Sequence, residues 1–139
     1  MNAKLWLSRG FWLKREKEQL ERMREETFTR LTKITATIDG ERISGTKNPY
    51  KYEALIDLDT EIEDKIKALD RTRHEIFTTI QQLQDSRYRQ VLLGRYYECL
   101  PWADIATLMH YEERQVFRVH GMALQAIQPL VDAKKEAVN

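Results

Sequence analysis

The sequence predicts an all-α protein in which a long antiparallel helical hairpin, similar to a coiled coil, leads into a compact helix-turn-helix module. Three observations predict this class. Charged residues make up 32% of the 139 residues, and there are only five glycines and three prolines, a composition that favours helices over sheets. Apolar residues recur every seven positions through much of residues 1–85. Two short segments with helical apolar spacing then flank a tight connection within residues 86–139.

The first predicted helix covers residues 3–38. Its seam residues, seven apart, are Leu13, Leu20, Thr27 and Ile34. This spacing is typical of a coiled-coil seam. Gly10 is expected to kink or split the helix near its start. The many threonines lower helix propensity towards its end, so residues 34–38 could instead be extended.

A loop is predicted at residues 39–49, which hold two glycines, a proline and several turn formers. Pro49 suits the first turn of the next helix, which is expected over about residues 50–84. Its apolar residues, again seven apart, are Leu55, Ile62, Leu69, Ile76 and Leu83. A stripe of this length would face water without a partner helix.

The distribution of charge over residues 1–85 indicates which helix covers the apolar stripe of the second predicted helix. Residues 1–38 carry nine Lys/Arg and five Asp/Glu, whereas residues 49–85 carry five and nine. A basic helix and an acidic helix joined by a short loop predict an antiparallel hairpin with complementary flanks. The same seam could pair between two molecules. We therefore interpret residues 1–85 as a hairpin or oligomerisation region, with a homodimer as a candidate state.

Residues 86–139 are interpreted as a DNA-binding module. Its predicted helices are Tyr88–Glu98, Trp102–Met109 and Glu113 to about Gln128. Asp85 or Ser86 is expected to cap the first of these helices, and Pro129 is expected to end or kink the last. The small Ala106 and the short connection at His110 and Tyr111 are typical of a helix-turn-helix. In that arrangement the second helix lies in a DNA major groove.

A resemblance narrows the interpretation. The run Arg95–Ala106, RYYECLPWADIA, resembles the RYYEGLSYAEIA run of region 4 in bacterial sigma factors, and Leu83 with the QDSRYR run after it resembles the LPERER that opens that region. The helical preamble and the run Arg114–Leu124 are similar to phage-encoded, sigma-region-4-like regulators related to late-gene activators of the RinA and ArpU kind. The resemblance implies a phage or prophage transcriptional regulator in the bacterial cytoplasm. It would bind promoter DNA, with RNA polymerase as a further candidate partner.

The outward face of the second helix of the module carries the candidate base-reading residues. They are Glu113, Arg114, Gln115, Phe117 and Arg118, with Met122 as a further candidate for that face. Arg suits guanine and Gln suits adenine by paired hydrogen bonds, Glu can accept from cytosine, and Phe can touch a thymine methyl. The residues taken as buried are Val116, Val119 and Ala123. By resemblance, promoter-reading positions fall on Glu113, Arg114, Phe117 and Arg118. The alternative is the solvated face of an amphipathic helix.

Three further arginines are candidates for phosphate contacts: Arg87, Arg89 and Arg95. The alternative for them is a solvated flank or pairing with nearby carboxylates, and the resemblance adds polymerase as a partner for Arg95. His110 stands where the turn usually has glycine, and Glu112 stands where a serine usually caps the second helix. These two departures predict weak or partner-assisted DNA binding.

Several function classes are disfavoured. No stretch approaches the eighteen apolar residues of a membrane span. The single Cys99 suits a reducing cytoplasm, and in the sigma pattern its position holds glycine. The histidines and the cysteine lack zinc-type spacing. No phosphate-binding glycine loop or nucleophile elbow occurs. The chain is therefore expected to be neither an enzyme nor a cofactor protein.

Other features leave alternatives open. Trp6, Phe11 and Trp12 lie among basic residues and could form a docking patch or pack against the hairpin. Gly94 and Gly121 are expected to permit close helix crossing. Two other functions remain: a phage DNA-packaging protein that binds a recognition site, and a non-enzymatic interaction protein that inhibits polymerase or another host protein.

Overall fold

A computed structural model describes the backbone at residues 1–40 and 49–138 and the side chains at residues 1–34 and 51–134. The helices are α1 (Ala3–Gly40), α2 (Pro49–Gln81), α3 (Ser86–Leu92), α4 (Trp102–Met109) and α5 (Glu113–Val138), with a π-helical stretch at Leu93–Tyr97 directly after α3. Every regular element within these residues is helical, which confirms the predicted all-α class.

The amino-terminal helices differ from prediction mainly at their ends. α1 continues unbroken through Gly10 to Gly40, so a split at Gly10 and the extended alternative for residues 34–38 are both wrong. A kink at Gly10 stays a prediction. α2 begins at Pro49 as predicted and ends at Gln81, three residues before the expected end. The central part of the predicted loop, residues 41–48, lies outside the described residues.

α5 continues through Pro129 to Val138. Of the two outcomes expected at that proline, an end of the helix is therefore wrong, while a kink stays a prediction. A proline inside a helix removes one hydrogen bond and costs about 3 kcal/mol. Packing offsets this cost, because Val131 is 1% exposed beyond the proline and belongs to the same apolar cluster as Ile127. The ring of Pro129 itself is exposed to solvent.

The chain divides into two compact units, Met1–Arg15 with Arg71–Asn139, and Glu16–Asp70. The first unit holds one large apolar cluster to which the start of α1, the end of α2 and α5 all contribute. Its buried members are Ala3, Trp6, Leu7, Ile76, Ile80, Leu83, Leu92, Tyr96, Ala123, Ile127 and Val131. This division does not follow the expected boundary between residues 85 and 86. Whether residues 1–85 form a separate domain stays a prediction.

Close approach explains why α1 carries Gly10 in the first unit. A Cβ atom placed there would lie 2.5 Å from the carbonyl oxygen of Tyr96. Gly94 is also close-packed, since its Cβ would lie 3.2 Å from Cγ1 of Ile105. A Cβ on Gly121 would meet nothing within 4 Å, so the expected close crossing is found at Gly94 and not at Gly121.

In the second unit, oppositely charged residues of α1 and α2 pair. The ion pairs are Lys17–Asp70 at 2.7 Å, Arg24–Asp59 at 3.1 Å and Arg24–Glu63 at 3.5 Å. A residue further along α1 therefore pairs with residues nearer the start of α2. The side chains are partly exposed, so each pair contributes little to stability. Seam residues Leu55, Ile62 and Thr27 are buried, and the Thr27 hydroxyl donates to the carbonyl of Met23 at 2.9 Å.

A second apolar cluster in the first unit joins α3, α4 and α5. Its buried members are Val91, Ile105, Ala106, Val116 and Val119. Trp102 and Tyr111 pack against it, half-buried, on its outer side. This small core fixes α5 against α4 and determines which face of α5 reaches solvent.

Candidate nucleic-acid interface

The connection between α4 and α5 is held by backbone geometry. His110 adopts a left-handed conformation (φ 59°, ψ 39°), and its N–H donates to the last carbonyls of α4. The N–H of Tyr111 closes the turn on the carbonyl of Ala106 at 2.9 Å. This is the usual left-handed helix end at which glycine is favoured. The left-handed conformation of His110 agrees with its place in the sequence, where the turn usually has glycine.

The start of α5 is capped without a serine. The carbonyl of Glu112 accepts the first helical bond from Val116 at 3.1 Å, and the N–H of Glu112 donates to Oε1 of Gln115 at 3.2 Å. The second contact is the reciprocal half of a capping box. The Gln115 oxygen is thus engaged at the helix start, although reading adenine requires both the oxygen and the amide nitrogen of that side chain. Base reading by Gln115 stays a prediction that would require this bond to open.

The outward face of α5 is as expected in its first turns. Glu113, Arg114 and Arg118 are exposed, and among the described residues neither arginine makes a hydrogen bond or an ion pair. The residues expected to be buried are Val116, Val119 and Ala123, at 0%, 4% and 0% exposure. Met122, a further candidate for the outward face, is half-buried against the second apolar cluster.

Phe117 is 48% exposed and leans against Trp102. The two ring centroids lie 5.1 Å apart in an edge-to-face arrangement, and the ring of His120 also lies near that of Trp102, at 4.8 Å between centroids. Nε2 of His120 lies 2.8 Å from the Tyr96 hydroxyl. Burial, with the positive charges of Lys4 and Arg95, lowers the pKa of His120 to about 4. The imidazole is therefore neutral near neutral pH, and the Tyr96 hydroxyl can donate to it.

Arg87 lies beside the N-cap of α3. Asp85, one of the two predicted caps, accepts from the backbone N–H of Arg87 at 2.9 Å. The same carboxylate also binds the guanidinium of Arg87, with Nη2 and Oδ2 2.9 Å apart. The hydrogen bond from Arg87 lowers the pKa of Asp85. This is the pairing that the sequence left open as the alternative to a phosphate contact.

The other two candidate phosphate ligands also contact the protein itself. Nη1 of Arg89 donates to the carbonyls of Leu83 and Gln84, just beyond the end of α2. Nη1 of Arg95 donates to the carbonyl of Leu100 at 3.1 Å. The guanidinium carbon of Arg95 lies 4.6 Å from the centre of the Phe11 ring and 4.4 Å from that of Trp102. Phosphate contacts by these arginines stay predictions.

Sequence reasoning missed a group of cations at the end of the π-helical stretch. Nζ of Lys14 donates to the carbonyl of Glu98 at 3.1 Å, and Nη2 of Arg73 donates to that of Tyr97 at 3.2 Å. Cys99 lies between these groups in a left-handed conformation (φ 62°), and the N–H of Leu100 closes the turn at 2.9 Å. The sequence signal that could have indicated this turn was the glycine that the sigma pattern has in place of Cys99.

The described part of the chain has no helix long and apolar enough to cross a membrane. Comparison of the chain with protein-family models, with curated proteins and with solved structures finds no match.

Proposed function

We propose that this chain is a DNA-binding transcriptional regulator of a phage or prophage. In this proposal α4 and α5 form a sigma-region-4-like helix-turn-helix, and α5 reads promoter DNA. The observation that supports it best is the pair Arg114 and Arg118. Both are exposed, one turn apart, and without a partner among the described residues, while the opposite face of the helix is buried.

The chemistry of this face suits base edges. An arginine can donate two hydrogen bonds to O6 and N7 of guanine, and each such pair is worth about 1–3 kcal/mol of discrimination. Because Arg114 and Arg118 are four residues apart, they project from the same side of α5. Glu112 and Glu113 at the helix start would repel phosphates, so this proposal expects weak or partner-assisted binding.

The remaining parts of the chain have roles in the same proposal. The ion pairs between α1 and α2 in the second unit fit an antiparallel hairpin. Such a hairpin would join two copies of the chain or hold the protein on RNA polymerase.

A mobility shift assay tests the function. The probe is a labelled late-promoter fragment from a phage, with a shuffled duplex for comparison. Arg114→Ala and Arg118→Ala should each weaken binding by about tenfold to a hundredfold, the loss of one paired contact to guanine. Each should also reduce the preference over the shuffled duplex. Arg22→Ala, which removes an exposed cation of the second unit, should bind like wild type.

Absence of any binding by the wild-type protein at low salt would contradict the proposal. It would favour the second candidate, an interaction protein that binds polymerase or another host protein. That candidate is supported by Arg87, Arg89 and Arg95, whose guanidinium groups are engaged within the protein. Retention of purified RNA polymerase by immobilised wild-type protein, unchanged by Arg114→Ala, would then identify it.

A further inference from the structure

A cluster of cations and aromatic rings lies outside the outward face of α5. We define the Trp12 surface by its members Phe11, Trp12, Lys14, Arg15, Arg73 and Arg95. All of them belong to the first unit. The first four come from α1, Arg73 comes from α2, and Arg95 comes from the π-helical stretch.

The positive charge of the Trp12 surface is not neutralised by carboxylates. Among the described residues none of its four cations forms an ion pair, and the exposed Glu98 forms none either. Lys14, Arg73 and Arg95 instead bind the backbone carbonyls of residues 98, 97 and 100. A helix end offers only about half a negative charge, so these contacts leave most of the positive charge in place.

All four cations of the Trp12 surface lie near enough to the thiol of Cys99 to act on its pKa. Burial raises its pKa, while the charges of Lys14, Arg73, Arg15 and Arg95 act in the opposite direction. The field at this place is therefore positive from several sides.

The rings of the Trp12 surface reach solvent. Trp12 is 64% exposed, and the guanidinium carbon of Arg15 lies 5.9 Å from the centre of its ring. Phe11 contacts Trp12 edge to face, with the centroids 5.8 Å apart. Cations interleaved with exposed aromatic rings are typical of surfaces that bind single nucleic-acid strands. For a duplex it is the positive charge of such a surface that favours binding.

Ring contacts link this surface to the outward face of α5. From Trp12 they pass through Phe11, Arg95 and Trp102 to Phe117, and no step exceeds 5.8 Å. Both ends of this series are exposed, since Phe117 is 48% exposed. The Trp12 surface and α5 are therefore joined by an unbroken series of contacts within the first unit.

We infer that the Trp12 surface is a second DNA-contacting surface, an inference that rests on the proposed function. It binds the sugar-phosphate backbone flanking the base pairs that α5 reads. Lys14 and Arg15 neutralise phosphates there, and Trp12 packs against the sugars. DNA is favoured as the occupant because the surface is basic, ring-lined and connected to the two unpartnered arginines of α5.

Salt dependence tests this inference. Binding of the full chain to a duplex is measured over a series of salt concentrations. Each phosphate contact adds about 0.9 to the slope of the logarithm of the binding constant against the logarithm of salt. The double variant Lys14→Ala/Arg15→Ala should lower the slope by about one to two units and weaken binding at low salt by about tenfold or more.

Two further variants control for misfolding and for a general loss of positive charge. Arg15→Gln leaves every hydrogen bond of the surface in place and should still lower the slope by about one unit. Arg22→Ala/Lys65→Ala removes two exposed cations of the second unit and should leave the slope unchanged.

The possible results distinguish a failure of this inference from a failure of the proposed function. An unchanged slope for Arg15→Gln, together with lost sequence preference for Arg114→Ala/Arg118→Ala, overturns the inference and leaves the function standing. No binding by wild type to any duplex overturns both. An unchanged slope combined with loss of binding to polyglutamate by Arg15→Gln overturns the inference in favour of an acidic protein partner.

Discussion

The arginines around α3 and those on the first turns of α5 had the same expected function, yet their surroundings differ. Arg87, Arg89 and Arg95 each bind groups of the protein itself. Arg114 and Arg118 bind none among the described residues. The difference indicates that the acceptors near an arginine decide how many of its guanidinium N–H groups remain available to a ligand.

Nearby acceptors explain this difference. Arg87, the second residue of α3, binds the carboxylate that caps this helix. The side chain of Arg89 reaches the carbonyls that follow α2, and that of Arg95, on the π-helical stretch, reaches the turn before α4. Arg114 is likewise the second residue of α5, yet among the described residues neither it nor Arg118 has such an acceptor.

The largest expected effect tests this comparison through stability. Arg95→Ala removes the bond to Leu100 and the contacts with the Phe11 and Trp102 rings, so the free energy of unfolding should fall by about 2 kcal/mol. Arg118→Ala should change it by less than about 0.5 kcal/mol, as surface substitutions usually do. Urea denaturation followed by circular dichroism measures both. Equal losses for the two variants would show that the comparison is wrong.

The sequence predicts local features of this region well. The bounds of α4 match prediction, and so do the burial of Val116 and the left-handed turn at His110, because spacing and turn geometry are encoded within a few residues. The partners of Arg89 and Arg95 were not predictable from local sequence. Their acceptors are backbone carbonyls, which every residue type carries, so no residue pattern marks them.

Long-range packing was also beyond local sequence signals. The start of α1 joins the main apolar cluster through residues such as Leu7, which is fully buried, although the heptad pattern predicted a partner only in the second helix. Pro129 was expected to end or kink α5, and the local rule behind this expectation cannot weigh the burial of Val131 beyond the proline. In both cases tertiary packing outweighs the local signal.

A smaller effect is expected at His120, which touches both regions through Tyr96 and Trp102. Its pKa is about 4 in the folded protein, below its ordinary value of about 6.5, so the unfolded chain binds the extra proton first. The neutral ring contributes stability above about pH 6.5, and this is lost as the pH falls towards 4. Since the ring is only half-buried, we expect a loss of about 1–2 kcal/mol.

The acid dependence of His120→Gln identifies the group. Urea midpoints of wild type should fall between neutral and acid pH more than those of the variant. His74→Gln, at an exposed position on α2, should retain the full acid dependence of wild type. An identical pH profile for wild type and His120→Gln would exclude His120 as the source.

The smallest expected effects are at the two residues with a left-handed backbone, Cys99 after the π-helical stretch and His110 after α4. Glycine adopts positive φ without steric cost, whereas other residues lose about 1 kcal/mol there. His110→Gly should raise the free energy of unfolding by about 0.5–1 kcal/mol, because the exposed side chain makes no hydrogen bond or ion pair with the described residues that would be lost. Cys99→Gly relieves the same backbone but removes a thiol that lies 3.5 Å from the carbonyls of both Gly10 and Phe11. Its net change should therefore be near zero in the same urea titration, and a gain as large as that of His110→Gly would mean that the thiol does not help to hold α1 in the first unit.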